Sequence, residues 1–533
     1  MKKLKVVLTL MLALIFAFSV SASACTMIFA GSATTEDGSA FYGRSEDYYN
    51  SRNKLFFVVE AGEISGTYSG CPAYGGGFTM ELEKTGYSFI TFAEDNADGY
   101  CPECYEEATH LAYTEAGTNE MGVTVSGTET LRSNGEVTKV DPFRDGEDET
   151  LPIGIEETDI PTVILSQAAT AREGVELLLN IYDTYGCQDA AGLIIADNNE
   201  IWYIENTSGT QYIAIKLTEN LIILEPNMAV IGLIDLDDTE NVIASANLIQ
   251  VAKQAGTFVG DEANNVIDFR ASYSSLNIDS RLVNGLNFIN SSYNYTAEIL
   301  EADNTLFTIS NLDAEGNIVP LYTNITADRA LTIDDMVNYY KIPGIGRDRN
   351  ADTSIFQFLP GKDAVSGTVE WVALNNCAYN VFLPYFPALT NDTWEGFKVG
   401  TGVEGAGFET EAPESGMYYA GSTWVVDAEG NWARAEGYIT YPEGWEKGYY
   451  WTFDALSNYI LYRDADETKV QNALDSLASL QTEIYSAFDT MLETVSAGEV
   501  TAETRQTLTD TSNALAEKAQ TLAYELYLDV SAE

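Results

Sequence analysis

The chain has 533 residues, 45% of them apolar, and its 81 acidic against 27 basic side chains leave a formal net charge of −54. That balance excludes a nucleic-acid partner and adsorption to anionic lipid, because phosphate would be repelled over most of the surface. Charged residues are only 20% of the chain and 7 Trp, 32 Tyr and 22 Phe are present, which excludes intrinsic disorder. A single histidine, His110, excludes a His-rich zinc site and leaves any Ser–His–Asp or Cys–His centre one residue to be built on.

Residues 1–24 have the pattern of a secretory signal. Lys2, Lys3 and Lys5 open it, Val6 to Val20 is apolar, and Ala22-Ser23-Ala24 supplies a small-residue cleavage site. The apolar run is too short for a membrane span and no stop-transfer charge follows it. Cleavage after Ala24 removes three lysines and no acid, which takes the net charge from −54 to −57 and leaves Cys25 first. The expectation is a secreted or extracytoplasmic chain with no later membrane span. Two roles for Cys25 compete with chance: a lipid-modified anchor, and a nucleophile whose base is its own freed α-amine. Ala22 stands where a lipoprotein signal usually carries Leu, which disfavours the anchor.

Further along, Cys25–Ala30 and Ala40–Arg44 read as strands joined at an Asp37-Gly38 turn. More strands are expected at Leu55–Glu60, Ser88–Phe92 and Gly122–Ser126. Residues 161–180 carry apolar side chains at helical spacing with Pro161 in the first turn. Strands at Gly192–Ala196, Ile201–Glu205, Gln211–Leu217 and Leu221–Leu224 follow, then a helix from Asp238 to Ala255. From 467 to 528 there is no proline, and Leu474, Leu477, Ile484, Phe488 and, beyond Gly498, Leu508, Leu515 and Leu522 repeat at helical spacing. That pattern predicts a helical hairpin broken at Gly498. The order of elements implies an α+β layered fold. Its expected parts are a signal peptide at 1–24, a catalytic domain at 25–466 and a helical region at 467–533 packed on it.

Cys25, Arg44 and Asp47 form the candidate catalytic group. Folding the second strand back on the first carries Arg44 toward the Cys25 end, where a guanidinium would stabilise a thiolate and lower the thiol pKa from about 8.5. Asp47 would hold or orient the α-amine, which titrates at roughly 7.7–8.0 and suits a general base. A lone Arg/Asp pair at this spacing is also what a surface ion pair looks like. The nearness of Cys25 favours function.

Cys25-Thr26-Met27-Ile28, Asp37-Gly38-Ser39 and Arg44-x-x-Asp47 resemble the opening of the dipeptidase A family of N-terminal-nucleophile (Ntn) cysteine peptidases, relatives of penicillin V acylase and bile salt hydrolase. The resemblance continues through Asn119-Glu120-Met121-Gly122-Val123, Ser126 to Thr130, Ala171-Arg172-Glu173, Trp202 to Glu205, Ile234 to Asp238 and Tyr450 to Phe453. It implies a four-layer αββα Ntn-hydrolase sandwich and hydrolysis of dipeptides through an acyl-enzyme on Cys25, without a cofactor or metal. It also suggests Asn227 and Glu129 as oxyanion or substrate residues, Glu129 standing where bile salt hydrolases place Asn. Their later active-site Arg has no match near Thr353-Ser354-Ile355. Asn119 reads as structural. The alternatives are an amidase acting on acyl-amino acids and a non-enzymatic acidic lipoprotein anchored through Cys25. Small peptides are the expected partners, and a homo-oligomer is left open.

Five further cysteines remain: Cys71, Cys101, Cys104, Cys187 and Cys377. Cys101-Pro-Glu-Cys104 lacks the second pair a zinc site needs, so an exported chain favours disulfides, with at least one thiol left over. The acidic stretches Arg144–Thr150 and Asp235–Asp238 lack the pattern of a calcium loop and read as solvated charge.

Overall fold

The computed structural model describes residues 25–532 apart from 48–52, 71–76, 95–113, 130, 147, 149, 400–407, 415, 427–431, 464 and 497–498. The signal segment, the Gly498 break, His110, Cys71, Cys101 and Cys104 lie outside the described residues. No described helix is long and apolar enough to cross a membrane.

Two large antiparallel sheets face each other. The first joins β1 (Thr26–Ala30), β2 (Ala40–Asp47), β10 (Ile222–Glu225), β12 (Asn350–Phe358), β13 (Thr368–Leu374) and β14 (Leu383–Tyr385) in the order β10-β1-β2-β12-β13-β14. The second joins β3 (Lys54–Val59), β4 (Phe89–Glu94), β5 (Ala116–Asn119), β6 (Thr124–Glu129), β7 (Ala191–Ala196), β8 (Ile201–Asn206), β9 (Tyr212–Lys216) and β11 (Val242–Ala244). Its order is β11-β9-β8-β7-β6-β5-β4-β3. Every residue of β1, β7 and β12 is buried, as expected of strands covered on both faces. Helices α1 (Ile160–Gln167) and α2 (Ala171–Thr184) cover the second sheet. The first is covered by α4 (Ser280–Ile289), α5 (Ile333–Tyr339) and α6 (Tyr449–Tyr462), with α7 (Glu467–Ser496) and α8 (Ala502–Ser531) against β14. The result is the expected αββα sandwich. The helical tail shares its core: Leu477, Ile484 and Phe488 bury against the first sheet, where Phe488 meets Trp371 edge-on at 4.7 Å.

Three expectations change. The β1–β2 connection is not a two-residue hairpin, because a 3-10 turn at Ser32–Thr34 precedes the Asp37-Gly38 turn; Gly38 there takes a positive φ of 77°. The single helix at 161–180 is two, broken after Gln167. Asn119 donates its amide to the carbonyls of Leu165 and Ala168 at 2.8 Å each, closing α1, while the Thr170 hydroxyl accepts from Glu173 N and opens α2. The helix expected from Asp238 is confined to α3 (Leu248–Ala255), because the amide of Asn241 folds back on Asp238 and β11 adds to the sheet edge.

Candidate active site

Strand register builds the site. β1 and β2 pair with Met27 opposite Arg44 and Thr26 opposite Ser45. Side chains alternate along a strand, so Cys25, Met27, Arg44 and Glu46 share the face turned toward the second sheet. Arg44 Nη2 lies 3.5 Å from Cys25 Sγ, and both residues are buried, at 1% and 3% exposure. Gly43 makes room on the other face, where a Cβ would come within 2.6 Å of the Tyr340 ring. β10 pairs with the far side of β1, Met27 opposite Glu225, and continuing that register brings Asn227 level with Cys25.

Asp47 alternates to the opposite face from Arg44. Its carboxylate accepts from Arg347 Nε at 2.8 Å and from Arg347 Nη2 and Asn350 Nδ2. The register places it one residue past Glu46, beside the start of β1 rather than beside the sulfur. A β-bulge between Asn350 and Asp352 permits this arrangement. The extra residue lets Asn350 reach Asp47 on one face while Asp352 stands opposite Glu46 on the other.

Arg281, at the start of α4, was not apparent in the sequence. Its guanidinium donates to the Cys25 carbonyl, to Thr26 Oγ1 at 2.8 Å, to Pro226 O at 3.0 Å, to Asn227 Oδ1 at 2.8 Å and to Asp279. An arginine donates only, so Asn227 must present its amide oxygen to Arg281, and its NH2 points elsewhere. Asn227 holds a positive φ of 58°. The four bonds to β1 and the Glu225–Asn227 turn fix Cys25 and Asn227 with respect to each other. Glu129 ends β6 opposite Ala191; its side chain lies outside the described residues.

Beneath Cys25 the two sheets enclose a charged cluster. Arg44 pairs with Glu115 at 2.5 Å and approaches Glu157 to 3.8 Å. Lys54 Nζ bridges Glu115 at 3.2 Å and Glu46 at 2.9 Å. With Asp352 there are four carboxyl groups against two cations, all buried, so the cluster retains protons at neutral pH. Burial raises Asp352, with Glu46 adding to it, and Lys54 and Arg44 hold Glu46 ionised. Burial likewise pushes Glu115 up to about 8 against the pull of Arg44.

The thiol does not follow the expectation drawn from Arg44 alone. Arg44 lowers its pKa as anticipated, but burial outweighs that, and Glu157, Glu115 and Glu46 push the same way as burial. The resting form is therefore the neutral thiol, and proton removal requires a base. Cys187 and Cys377 are free and buried, so both are among the thiols left over from any pairing. Cys187 lies against Asn206 Nδ2 at 3.1 Å and Cys377 against Thr353 Oγ1 at 2.7 Å. Among the described residues no group of three His, Cys, Asp or Glu side chains is arranged to hold a metal ion.

Burial also raises Glu205 and Glu370 to about 8 and Asp454 to about 7. A carboxyl group whose pKa is higher folded than unfolded binds its proton preferentially in the native state. Its contribution is complete below the unfolded value near 4 and is lost as pH rises through the folded one. Stability is therefore expected to fall between pH 5 and pH 8, by up to about 1.4 kcal/mol per pH unit for each such group. Urea midpoints across that range test this; a midpoint that rises with pH contradicts it.

Similarity to known proteins assigns the chain to a family. The model of Peptidase family C69 matches residues 24–410, and the chain belongs to that family. It is 34% identical over 250 residues to a probable dipeptidase B of Streptococcus pyogenes, covering 46% of each chain, so it spans about half the length of that relative. A probable dipeptidase of Salmonella dublin is 27% identical over 391 residues, 69% of this chain and 81% of the relative. A dipeptidase of Bifidobacterium longum is 25% identical over 397 residues, covering 68% and 71%. Among solved structures, a mutant of the conjugated bile acid hydrolase of Clostridium perfringens covers 68% of this chain and 96% of its own, at 11% identity and a TM-score of 0.29.

Proposed function

We propose that this chain is an exported cysteine dipeptidase in which Cys25, freed by cleavage after Ala24, is an N-terminal nucleophile. Sγ bonds to the carbonyl carbon of a dipeptide as the thiol proton passes to the Cys25 α-amine. The carbonyl oxygen becomes an oxyanion, and the NH2 of Asn227, turned away from Arg281, is the nearby side-chain donor for it. Collapse breaks the C–N bond, and the leaving amine takes the proton from the Cys25 ammonium. The same amine then activates water, which adds to the thioester and releases the first amino acid with the free thiol. The observation that carries this reading is the buried Cys25 Sγ 3.5 Å from Arg44 at the head of β1, in a chain of the C69 family whose single histidine is His110. A neutral resting thiol is consistent with a base as weak as an α-amine, since the proton need move only as the S–C bond forms.

The test is a panel of dipeptides beside penicillin V and conjugated bile acids, run on protein recovered from outside the producing cell, with the N-terminus read by intact mass. Dipeptide turnover by a chain starting at unmodified Cys25 is expected. Preferred cleavage of the acyl-amides would make it an amidase instead, and a diacylglycerol-modified Cys25 would leave a tethered binding protein.

A further inference from the structure

Asp47 stands on the side where the amine of a chain starting at Cys25 lies. Thr26 pairs with Ser45, so one step further along the two strands Cys25 is opposite Glu46 and its nitrogen points toward the Asp47 end. Arg281 joins the two: it donates to the Cys25 carbonyl, and its charge acts on Asp47. A lone carboxylate in that place is a poor neighbour for a base. It would favour the ammonium form and raise an α-amine from roughly 7.7–8.0 by about 1–3 pH units, leaving little free base at neutral pH.

Asp47 is held so that its charge is directed away from the amine. Arg347, in the turn before β12, donates to Oδ2 through Nε at 2.8 Å and through Nη2. Asn350 Nδ2 donates to Oδ1. That amide cannot turn round, because its oxygen accepts from Arg347 N at 2.8 Å and Cys377 N at 3.4 Å while Nδ2 also donates to Ile345 O at 3.0 Å. Burial raises Asp47 above the ordinary carboxylate range, and Arg347 is the strongest pull against it, ahead of Arg281. Asp47 is fully buried, whereas the Arg347 side chain is 27% exposed and keeps contact with solvent. The other groups facing Asp47 do not replace it. Arg281 is paired with Asp279 at 3.0 Å, and Cys377 is a neutral thiol that burial pushes up to about 12. Glu46, the preceding residue, turns to Lys54 on the other face. We infer that Arg347 is a positioning residue that takes up the charge of Asp47, so that Asp47 orients the Cys25 α-amine by a hydrogen bond without fixing it as an ammonium. The inference rests on the proposal that this amine is the general base.

The experiment reads the amine directly. In Cys25→Ala protein starting at residue 25, where no thiol competes for the reagent, carbamoylation of the N-terminus by cyanate is followed against pH by intact mass, with and without Arg347→Gln. Arg347→Gln is expected to raise the pKa of the amine by about one pH unit, and Arg347→Lys, which keeps a cation on Asp47, by much less. With Cys25 in place, the acid limb of kcat/KM should move with it, giving about tenfold lower activity at pH 6 and at most about twofold at pH 9. An amine left unmoved or lowered by Arg347→Gln overturns the proposal and, where activity falls by one factor at every pH, leaves Arg347 a brace. A second check needs no change at position 347: the amine of the Cys25→Ala protein should titrate no higher than about 8, the value of a free α-amine. A value above about 9 also overturns the proposal. Failure of the amine as base looks different, because the amine would then move with Arg347 while the acid limb stayed in place; that result upholds the role of Arg347 and defeats only the mechanism.

Discussion

Cys25→Ala is expected to abolish dipeptide hydrolysis, lowering kcat by more than about 10³-fold, the scale on which removal of a nucleophile acts, while leaving the fold intact. Nothing else described offers a substitute. Cys187 and Cys377 are buried against Asn206 and Thr353 and lie outside the cluster under β1. The substitution deletes one sulfur at the mouth of β1 and breaks no backbone pairing, so its stability cost should stay near 1 kcal/mol, as for other small truncations. Amine release followed by chromatography measures the first effect and a urea midpoint the second. Turnover above a tenth of wild type in a folded Cys25→Ala protein would sink the mechanism.

How much of this was legible beforehand depends on sequence separation. Cys25 and Arg44 are 19 residues apart on adjacent strands, and the turn between them suffices to predict that they meet. Asp47 is different. Its partners, Arg347 and Asn350, lie 300 residues away and reach it only through the pairing of β2 with β12 and the bulge beside Asn350. Arg281 carries no local mark at all: as the second residue of an α4 capped by Asp279, it reads as an ordinary first-turn charge. The inter-sheet cluster was hidden for another reason. Lys54, Glu115 and Glu157 look like surface charges because most such residues are solvated, and burial of charge is decided by which strands face each other. The break between α1 and α2 did leave a trace. Thr170-Ala171-Arg172-Glu173 has the spacing of a helix start, and apolar periodicity running across it hid the boundary.

Arg44→Ala separates the two parts that the structure assigns to this guanidinium. As the counter-charge of Glu115 and Glu157 it holds the sheets together at a point shielded from solvent. Its removal takes the cation away from two buried carboxyls, at an expected cost of about 3–5 kcal/mol. That cost should depend on pH with a definite sign. Without Arg44, the pKa of Glu115 rises further above its unfolded value, so the folded protein binds a proton the unfolded one releases. The variant should therefore lose more stability at pH 8 than at pH 5. Hydrogen-bonded to the sulfur, Arg44 also offsets part of the rise in the thiol pKa that burial and the three acids impose. Removing it should move the dependence of Cys25 alkylation on pH to more alkaline values, and the pH–rate profile of hydrolysis with it. Arg44→Lys keeps the charge but loses the rigid guanidinium whose Nη2 faces the sulfur and both carboxylates. It should restore most of the stability and less of the activity. A variant that loses activity by one constant factor at every pH, with alkylation unshifted, would mean that Arg44 only braces the sheets and does not govern the thiol.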